Sequence, residues 1–305
     1  MVCIVFQSMH LYNLRNRRTK INLDSPYEFQ RSNKSTKPSK FAKKEGMPTL
    51  IDTHHAVAQL AGNGVATLTL RNAKKLNIVG SPAILELTAA IDALKQRGDV
   101  RVLILRGEGD KAFIGGADIH EMATLTPTSA EAFITRLKNL CEAVRSFPAP
   151  VIGRLSGYTL GGGLEVAAAC DLRISSSTGV YGMPEVAVGI PSVIHAVLLP
   201  MLVGQSRATW LLMTGESIDA ATALQWGLVQ EVVEPEELDA RIDALATRLA
   251  GFGSAALRQQ KTLMRSWQSL PPDQAIEATV AEFGKAFATG EPQRYMEAFK
   301  SRKKG

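Results

Sequence analysis

A chain of 305 residues, 45% of them hydrophobic, has ample material for a buried core and holds one large domain or two small ones. No apolar run approaches the roughly 18 residues of a membrane-crossing helix, so membrane insertion is not expected. The formal charge of +6 is unevenly placed: residues 1–46 carry ten Lys/Arg against three Asp/Glu, and the nearly neutral remainder has no electrostatic footprint for nucleic acid.

Residues 1–46 lack the periodicity of a helix or strand, and 30–44 are rich in Ser, Lys and Thr. Too little apolar surface is present to offset ordering entropy, so a disordered basic leader is expected. An organellar targeting role stays open because the segment is basic, although Asp24, Glu28 and the non-amphipathic pattern count against it. The simpler expectation is that Met47 begins the functional protein. The three cysteines, Cys3, Cys141 and Cys170, are odd in number and widely spaced. They match no metal-ligand spacing and predict unpaired thiols in a reducing, cytoplasmic setting.

From Ala56 the pattern becomes regular. Residues 56–60 and 65–70 are apolar runs separated by Asn63-Gly64, a hairpin signal because both residues tolerate positive φ. Ser81-Pro82 reads as an N-cap and first-turn proline, followed by Ile84, Leu87, Ile91 and Leu94 at helical spacing. A strand is expected over 100–105, a helix over 130–146, a strand over 151–155, a helix after Gly161 and a strand over 172–175. Strand–helix–strand alternation with continuous apolar strands predicts parallel α/β units. Further on, helices are expected over 206–213 and 217–225, with Ser217 as N-cap and Gly227 as stop, then a strand over 228–233. Beyond Glu236 the pattern is helical to the end. Ile276, Val280, Phe283 and Phe287 form a stripe there that needs a partner surface, either the chain's own core or another subunit.

Two glycine-rich turns and two glutamates carry the chemistry. Gly115-Gly116-Ala117-Asp118 follows a predicted strand and a polar turn, and Gly161-Gly162-Gly163 stands between a strand and a helix. Turns without side chains let backbone N–H groups approach a ligand, and a helix N-terminus aims them at developing negative charge. Each cluster alone also fits a plain tight turn, with Asp118 capping the following helix. The glycines lack the spacing of a dinucleotide fingerprint, and no Gly-Lys-Ser/Thr follows for a phosphate loop. Glu165 falls on the first turn of its helix, and Glu185 follows Pro184. Individually each fits a solvated carboxylate; beside an oxyanion hole, the two suit proton transfer to and from a carbon activated by a carbonyl.

The joint pattern resembles the enoyl-CoA hydratase/isomerase superfamily, the crotonase family, over about four-fifths of the chain. Its carriers are Lys111-Ala-Phe-Ile-Gly-Gly-Ala-Asp-Ile-His-Glu-Met122, Ser156-Gly-Tyr-Thr-Leu-Gly-Gly-Gly-Leu-Glu165 and Cys170-Asp-Leu-Arg-Ile174. Tyr181-Gly-Met-Pro-Glu-Val186, Thr214-Gly-Glu-Ser-Ile218 and Trp226-Gly-Leu-Val229 continue it. The resemblance implies a spiral of β-β-α units over 47–250 and a helical region over 251–305 that builds homotrimers or hexamers. It puts the oxyanion hole on the N–H groups of Ala117 and Gly162 and the acid–base pair on Glu165 and Glu185. Gly115, Gly116, Asp118, Ile119, Gly161 and Gly163 would line the acyl-CoA thioester. It implies no metal or redox cofactor, coenzyme A being part of the substrate. Retention of both glutamates favours hydration, with Glu165 as base toward water and Glu185 as acid toward the α-carbon. Isomerisation, dehydration of a 3-hydroxyacyl-CoA in a specialised pathway, and acyl-CoA binding without catalysis remain as alternatives.

One departure stands out. Where the family pattern runs on to Pro-Gly-x-Gly-Gly, this chain has Pro191-Ser-Val-Ile-His195. Bulkier Val193, Ile194 and His195 are expected to narrow or redirect the acyl pocket, and His195 reads as a packed or capping residue. His54 and His55 adjoin without a third metal ligand. Trp210, Trp226 and Trp267 are expected in the core or an interface. Lys261 and Arg302-Lys303-Lys304 are expected as solvated helix charges, with the CoA phosphates as the alternative.

Overall fold

The computed structural model describes residues 47–302; the leader 1–46, with Cys3, and the end of the basic terminal run lie outside the described residues. The chain enters through Thr49–Asp52 (β1) and the expected hairpin of Ala56–Leu60 (β2) and Val65–Leu70 (β3), which pair antiparallel around Gly64 at φ 82°. Ser81–Lys95 (α1) buries Ile84, Leu87, Ile91 and Leu94, the residues its spacing singled out. Ser81 is not the N-cap, however. Gly80 holds that position, and Ser81 is the first helical residue. Its N–H and hydroxyl both donate to the carboxylate of Glu121, so a distant acid caps the helix in place of the local serine.

Three β-β-α turns follow. The first is Val102–Gly107 (β4), Ala112–Ile114 (β5), the short Ile119–Met122 (α2) and Pro127–Arg145 (α3), the last capped by Thr126 with Ser129 in reciprocal hydrogen bonds. The second is Val151–Leu155 (β6), Tyr158–Leu160 (β7) and Gly162–Ala169 (α4). Leu172–Ser176 (β8) and Val180–Gly182 (β9) open the third, which continues through 3₁₀ turns at Pro184–Val188 and Ile194–Leu198 into Leu199–Val203 (α5) and Gln205–Thr214 (α6).

Each turn of the spiral gives one strand to each of two sheets. The large sheet runs β1-β2-β3-β4-β6-β8 and ends on Glu231–Val233 (β11), parallel from β3 onward. The small sheet runs β5-β7-β9, all parallel, and closes with Ser217–Asp219 (β10) antiparallel to β9. That strand replaces the expected start of a helix at Ser217. Ile218 is buried beside Tyr181, and Asp219 caps the shorter helix Ala220–Trp226 (α7), accepting from the Thr222 N–H at 2.8 Å. Gly227 ends α7 at φ 81°, as expected.

The central strands β4, β6 and β8 of the large sheet are buried on both faces, which is why they read as continuous apolar runs. Val102, Ile104, Ile152 and Ile174 meet Leu238, Ile242, Ala246 and Ala250 of Leu238–Ala250 (α8). Leu103, Leu105, Val151 and Leu155 face the main core with α1, α3 and α4. Three more helices, Ser254–Trp267 (α9), Pro272–Ala288 (α10) and Glu291–Arg302 (α11), complete the described chain. Among the described residues no helix is long and apolar enough to cross a membrane.

Candidate active site

The site segments share one origin. The Gly115–Ala117 turn leaves β5, the Gly161–Gly163 turn leaves β7 and Glu185 follows β9; these are adjacent parallel strands, so all three segments leave the same edge of the small sheet. Parallel strands put their carboxyl ends side by side, and ligands gather there in α/β folds. Residues spread over seventy positions of sequence are thus brought together by strand order alone.

The first turn is held from the side by the chain before α1. Gly115 donates to Leu76 O at 2.9 Å, Val79 donates to Gly116 O at 2.9 Å and Asp118 donates to Val79 O at 3.0 Å. Ala117 sits between these bonds, and in an extended segment its N–H points away from Val79. Gly116 adopts φ 124°, open to glycine but not to an L side chain. Buried Asn77 locks the arrangement, donating to Glu108 O at 3.0 Å and Ala112 O at 2.8 Å. Asp118 caps α2 by accepting from the His120 N–H at 2.9 Å, as expected, and Ile119 begins that helix half-exposed.

The second turn opens α4. Gly161 has φ 52° and ψ −124°, and a Cβ on it would stand 2.4 Å from Glu185 Oε1, so both conformation and space demand glycine. The Gly161 N–H donates to Gly182 O at 2.9 Å, tying the turn to β9, while a Cβ on Gly163 would meet Ile114 O at 2.1 Å. Gly162 lies between them as the first helical residue. Among the described residues neither the Ala117 nor the Gly162 N–H donates to a protein acceptor. These two free donors follow neighbouring strands, and that of Gly162 lies at a helix N-terminus, where partial positive charge gathers.

The carboxyl groups lie against this pair. Glu165, on the first turn of α4, is only 4% exposed, and its Oε1 accepts from the Ala196 N–H at 3.0 Å. Burial pushes its carboxyl up to about 8; the Ala196 hydrogen bond opposes this and the nearby charge of Glu185 adds to it. Glu185 accepts from the Ser192 hydroxyl at 3.0 Å, and burial raises it as well. Taking an ionised carboxylate out of water is costly, so burial favours the protonated form of Glu165 near neutrality.

Other expected positions fall elsewhere. Lys261 is not a solvated charge: it is buried, donating to Asp171 Oδ2 at 2.6 Å and Ala149 O at 3.2 Å, which ties α9 to the core and leaves it unavailable to phosphate. His55 pairs with Glu86 at 3.0 Å, and the described residues contain no cluster able to hold a metal ion. Trp226 packs against the main core, whereas Trp210 and Trp267 are exposed. Cys141 and Cys170 are buried free thiols.

Sequence reasoning missed the residues that hold the site in place. Asn77, Leu76 and Val79 lie outside every motif, in an irregular stretch before α1. Ser192 and Ala196, which hold the two carboxyls, belong to the segment where the family pattern breaks. That departure was the one signal that could have found them.

Two layers of β-β-α turns, each turn giving one strand to each of two sheets, define a crotonase-type fold. The enoyl-CoA hydratase/isomerase family matches residues 61–305. A crotonyl-CoA hydratase of Syntrophomonas wolfei is 35% identical over 241 residues, covering 79% of this chain and 93% of that protein. A short-chain-enoyl-CoA hydratase of Clostridium acetobutylicum is 33% identical over 241 residues, covering 79% and 92%. Among solved structures, an enoyl-CoA hydratase from Bacillus anthracis superposes with a TM-score of 0.77 at 26% identity, covering 84% of this chain and 96% of its own. DspI of Pseudomonas aeruginosa gives 0.74 at 30% identity, covering 78% and 90%. The chain belongs to the enoyl-CoA hydratase/isomerase family.

Proposed function

We propose that this protein is an enoyl-CoA hydratase, adding water across the double bond of a 2-enoyl-CoA thioester to give a 3-hydroxyacyl-CoA. The observation that carries the reading is the pair of upward-shifted carboxyls, buried Glu165 and half-buried Glu185, beside two free N–H groups. The relatives named as hydratases support it.

The thioester oxygen accepts from Ala117 and Gly162, which draws electron density out of the conjugated double bond. A single donor of this kind is worth roughly 2.7–4 kcal/mol in a transition state. The β-carbon becomes electrophilic, and water held between the glutamates attacks it. The ionised carboxyl takes the water proton while the protonated one delivers its proton to the α-carbon, so the pair ends with the same proton count. With Glu165 as base, the shared proton must sit on Glu185 at the moment of attack. A bound thioester that displaces water around Glu185 favours that arrangement.

No metal or redox cofactor enters this chemistry. The run backwards, dehydration of a 3-hydroxyacyl-CoA, uses the same groups, and bulky side chains at 193–195 favour a specialised acyl group as the second reading. The exposed stripe of Ile276, Val280, Phe283 and Phe287 supports assembly as a homotrimer or hexamer, and the unpaired buried thiols support a cytoplasmic setting. The test is to incubate the purified protein, without added metal, with crotonyl-CoA, longer 2-enoyl-CoAs and a 3-enoyl-CoA. Formation of 3-hydroxyacyl-CoA from the 2-enoyl esters is expected. Double-bond migration alone would make it an isomerase.

A further inference from the structure

We propose that His195 is a positioning residue for Glu165: paired to Glu142, it fixes the turn whose Ala196 N–H holds the Glu165 carboxyl. The proposal rests on the reading of Glu165 as an acid–base group, and it concerns residues that replace glycines of the family pattern.

The chain of contacts is short. His195 Nε2 lies 3.3 Å from Glu142 Oε1, and Glu142 is held by Arg145 at 3.2 Å and Arg265 at 3.4 Å. Arg265 also donates to Arg145 O at 3.2 Å, so α3 and α9 both brace the histidine. One residue on, the Ala196 N–H serves Glu165 Oε1 at 3.0 Å and Val193 O at 2.9 Å together. The turn carrying that N–H is strained. Ile194, a β-branched residue, has φ 39°, in the left-handed region that glycine would occupy at no cost. Backbone strain of this kind persists only where the surroundings over-determine it. His195 supplies such an anchor: its ring is 6% exposed, and its Nδ1 is buried with no partner among the described residues, so the single polar contact is the one to Glu142. An Nε2–H tautomer donating to the carboxylate is the one that fits. Behind the pair, a cleft of about 740 Å³ is lined by His195, Glu142, Arg145, Arg265, Lys138 and Met201, among others. The His195–Glu142 contact thus stands on the wall of this cleft, while Ala196 and Ile194 of the same turn pack on the main core.

The charged and titratable groups around His195 are Glu142 and Arg145 from α3, Arg265 from α9 and, on the cleft wall, Lys138. Those facing Glu165 are Glu185 and the Cys141 thiol. Releasing the turn removes a hydrogen bond to the charged form of Glu165, so its carboxyl should hold its proton to higher pH.

The experiment follows the infrared carboxyl band present in the full-length protein and missing in Glu165→Gln, titrated with pH in each variant. In His195→Ala the midpoint is expected to move upward by about one pH unit, a tenfold gain in proton affinity. His195→Gln, whose amide can still donate to Glu142, should stay within a few tenths of the wild type. Should His195→Ala not fold, Glu142→Ala, a change at a partly exposed residue, carries the same expectation. Alongside, kcat for crotonyl-CoA hydration should fall about tenfold in His195→Ala with KM little changed. A midpoint in folded His195→Ala or Glu142→Ala equal to that of the wild type overturns the proposal. A wild-type protein that does not hydrate the thioester would sink the hydratase reading instead, and the band titration would still decide the role of His195.

Discussion

Two regions of this molecule depart from the usual inside–outside rule, in opposite senses. At the small-sheet edge the Glu165 carboxyl is taken out of water, only 4% exposed, with half-buried Glu185 near it. On α10 the apolar stripe is left in water, with Ile276, Val280 and Phe283 exposed at 65%, 67% and 70%. A buried carboxyl and an exposed apolar face are the informative deviations in a folded chain. The contrast with α8 sharpens the second point. There Leu238, Ile242, Ala246 and Ala250 recur at helical spacing too and are covered by the large sheet. Helical periodicity therefore fixes which face is apolar and says nothing of what covers it.

The largest effect expected from attacking the first region is at Gly162. Gly162→Pro removes the N–H while remaining tolerable at the first position of a helix, and turnover should be abolished. A Cβ there meets Leu137 Cδ2 at 2.7 Å, the far end of a flexible side chain, so Gly162→Ala is the control that keeps the N–H and makes the same contact. Circular dichroism must show both folded. An active, folded proline variant would take Gly162 out of the oxyanion hole.

The second region is broken by charge. Phe283→Glu combined with Val280→Glu places two carboxylates on an already exposed face, so the subunit fold should survive while the trimer or hexamer dissociates. Burying a Phe side chain is worth roughly 1.5–3 kcal/mol, and each interface of the proposed assembly would lose it. Light scattering reads the outcome; a wild-type protein that is monomeric at micromolar concentration removes the assembly claim.

A smaller effect sharpens the electrostatic half of the comparison. Burial holds the Glu165 proton up to about 8 in the folded chain, while the solvated carboxyl of the unfolded chain loses it near 4.5. The raised value therefore stabilises the fold at low pH, and this contribution is lost as pH rises through that window. Glu165→Gln abolishes the dependence, so its stability relative to wild type should increase between pH 5 and pH 8 by up to a few kcal/mol. Denaturant midpoints at the two pH values measure it, and parallel behaviour of the two proteins would mean that Glu165 is not buried as described.

Much of this was legible in the sequence because long elements announce themselves. The buried strands 151–155 and 172–176 and the helix of Ile84, Leu87, Ile91 and Leu94 follow from runs and spacing alone. The small sheet did not, because β5, β7, β9 and β10 have three residues each, too few to show a period. Ser217 read as a helix cap for that reason. The glycine turns and both glutamates stood out as residue types, but only the family pattern joined them into one site, since Glu165 and Glu185 come together through strand order. What holds them was hidden: a backbone N–H such as that of Ala196 belongs to every residue type, and only the fold says which one is aimed at a carboxylate.

The most direct test of the account is the rate at which Glu165→Gln and Glu185→Gln hydrate crotonyl-CoA, measured on folded protein. Each amide keeps the shape of its side chain and cannot exchange the shared proton. Both variants should lose at least about a hundredfold in kcat, the low end for general acid–base catalysis, with a far smaller change in thioester binding. Near wild-type turnover in either one would contradict the two-carboxyl mechanism.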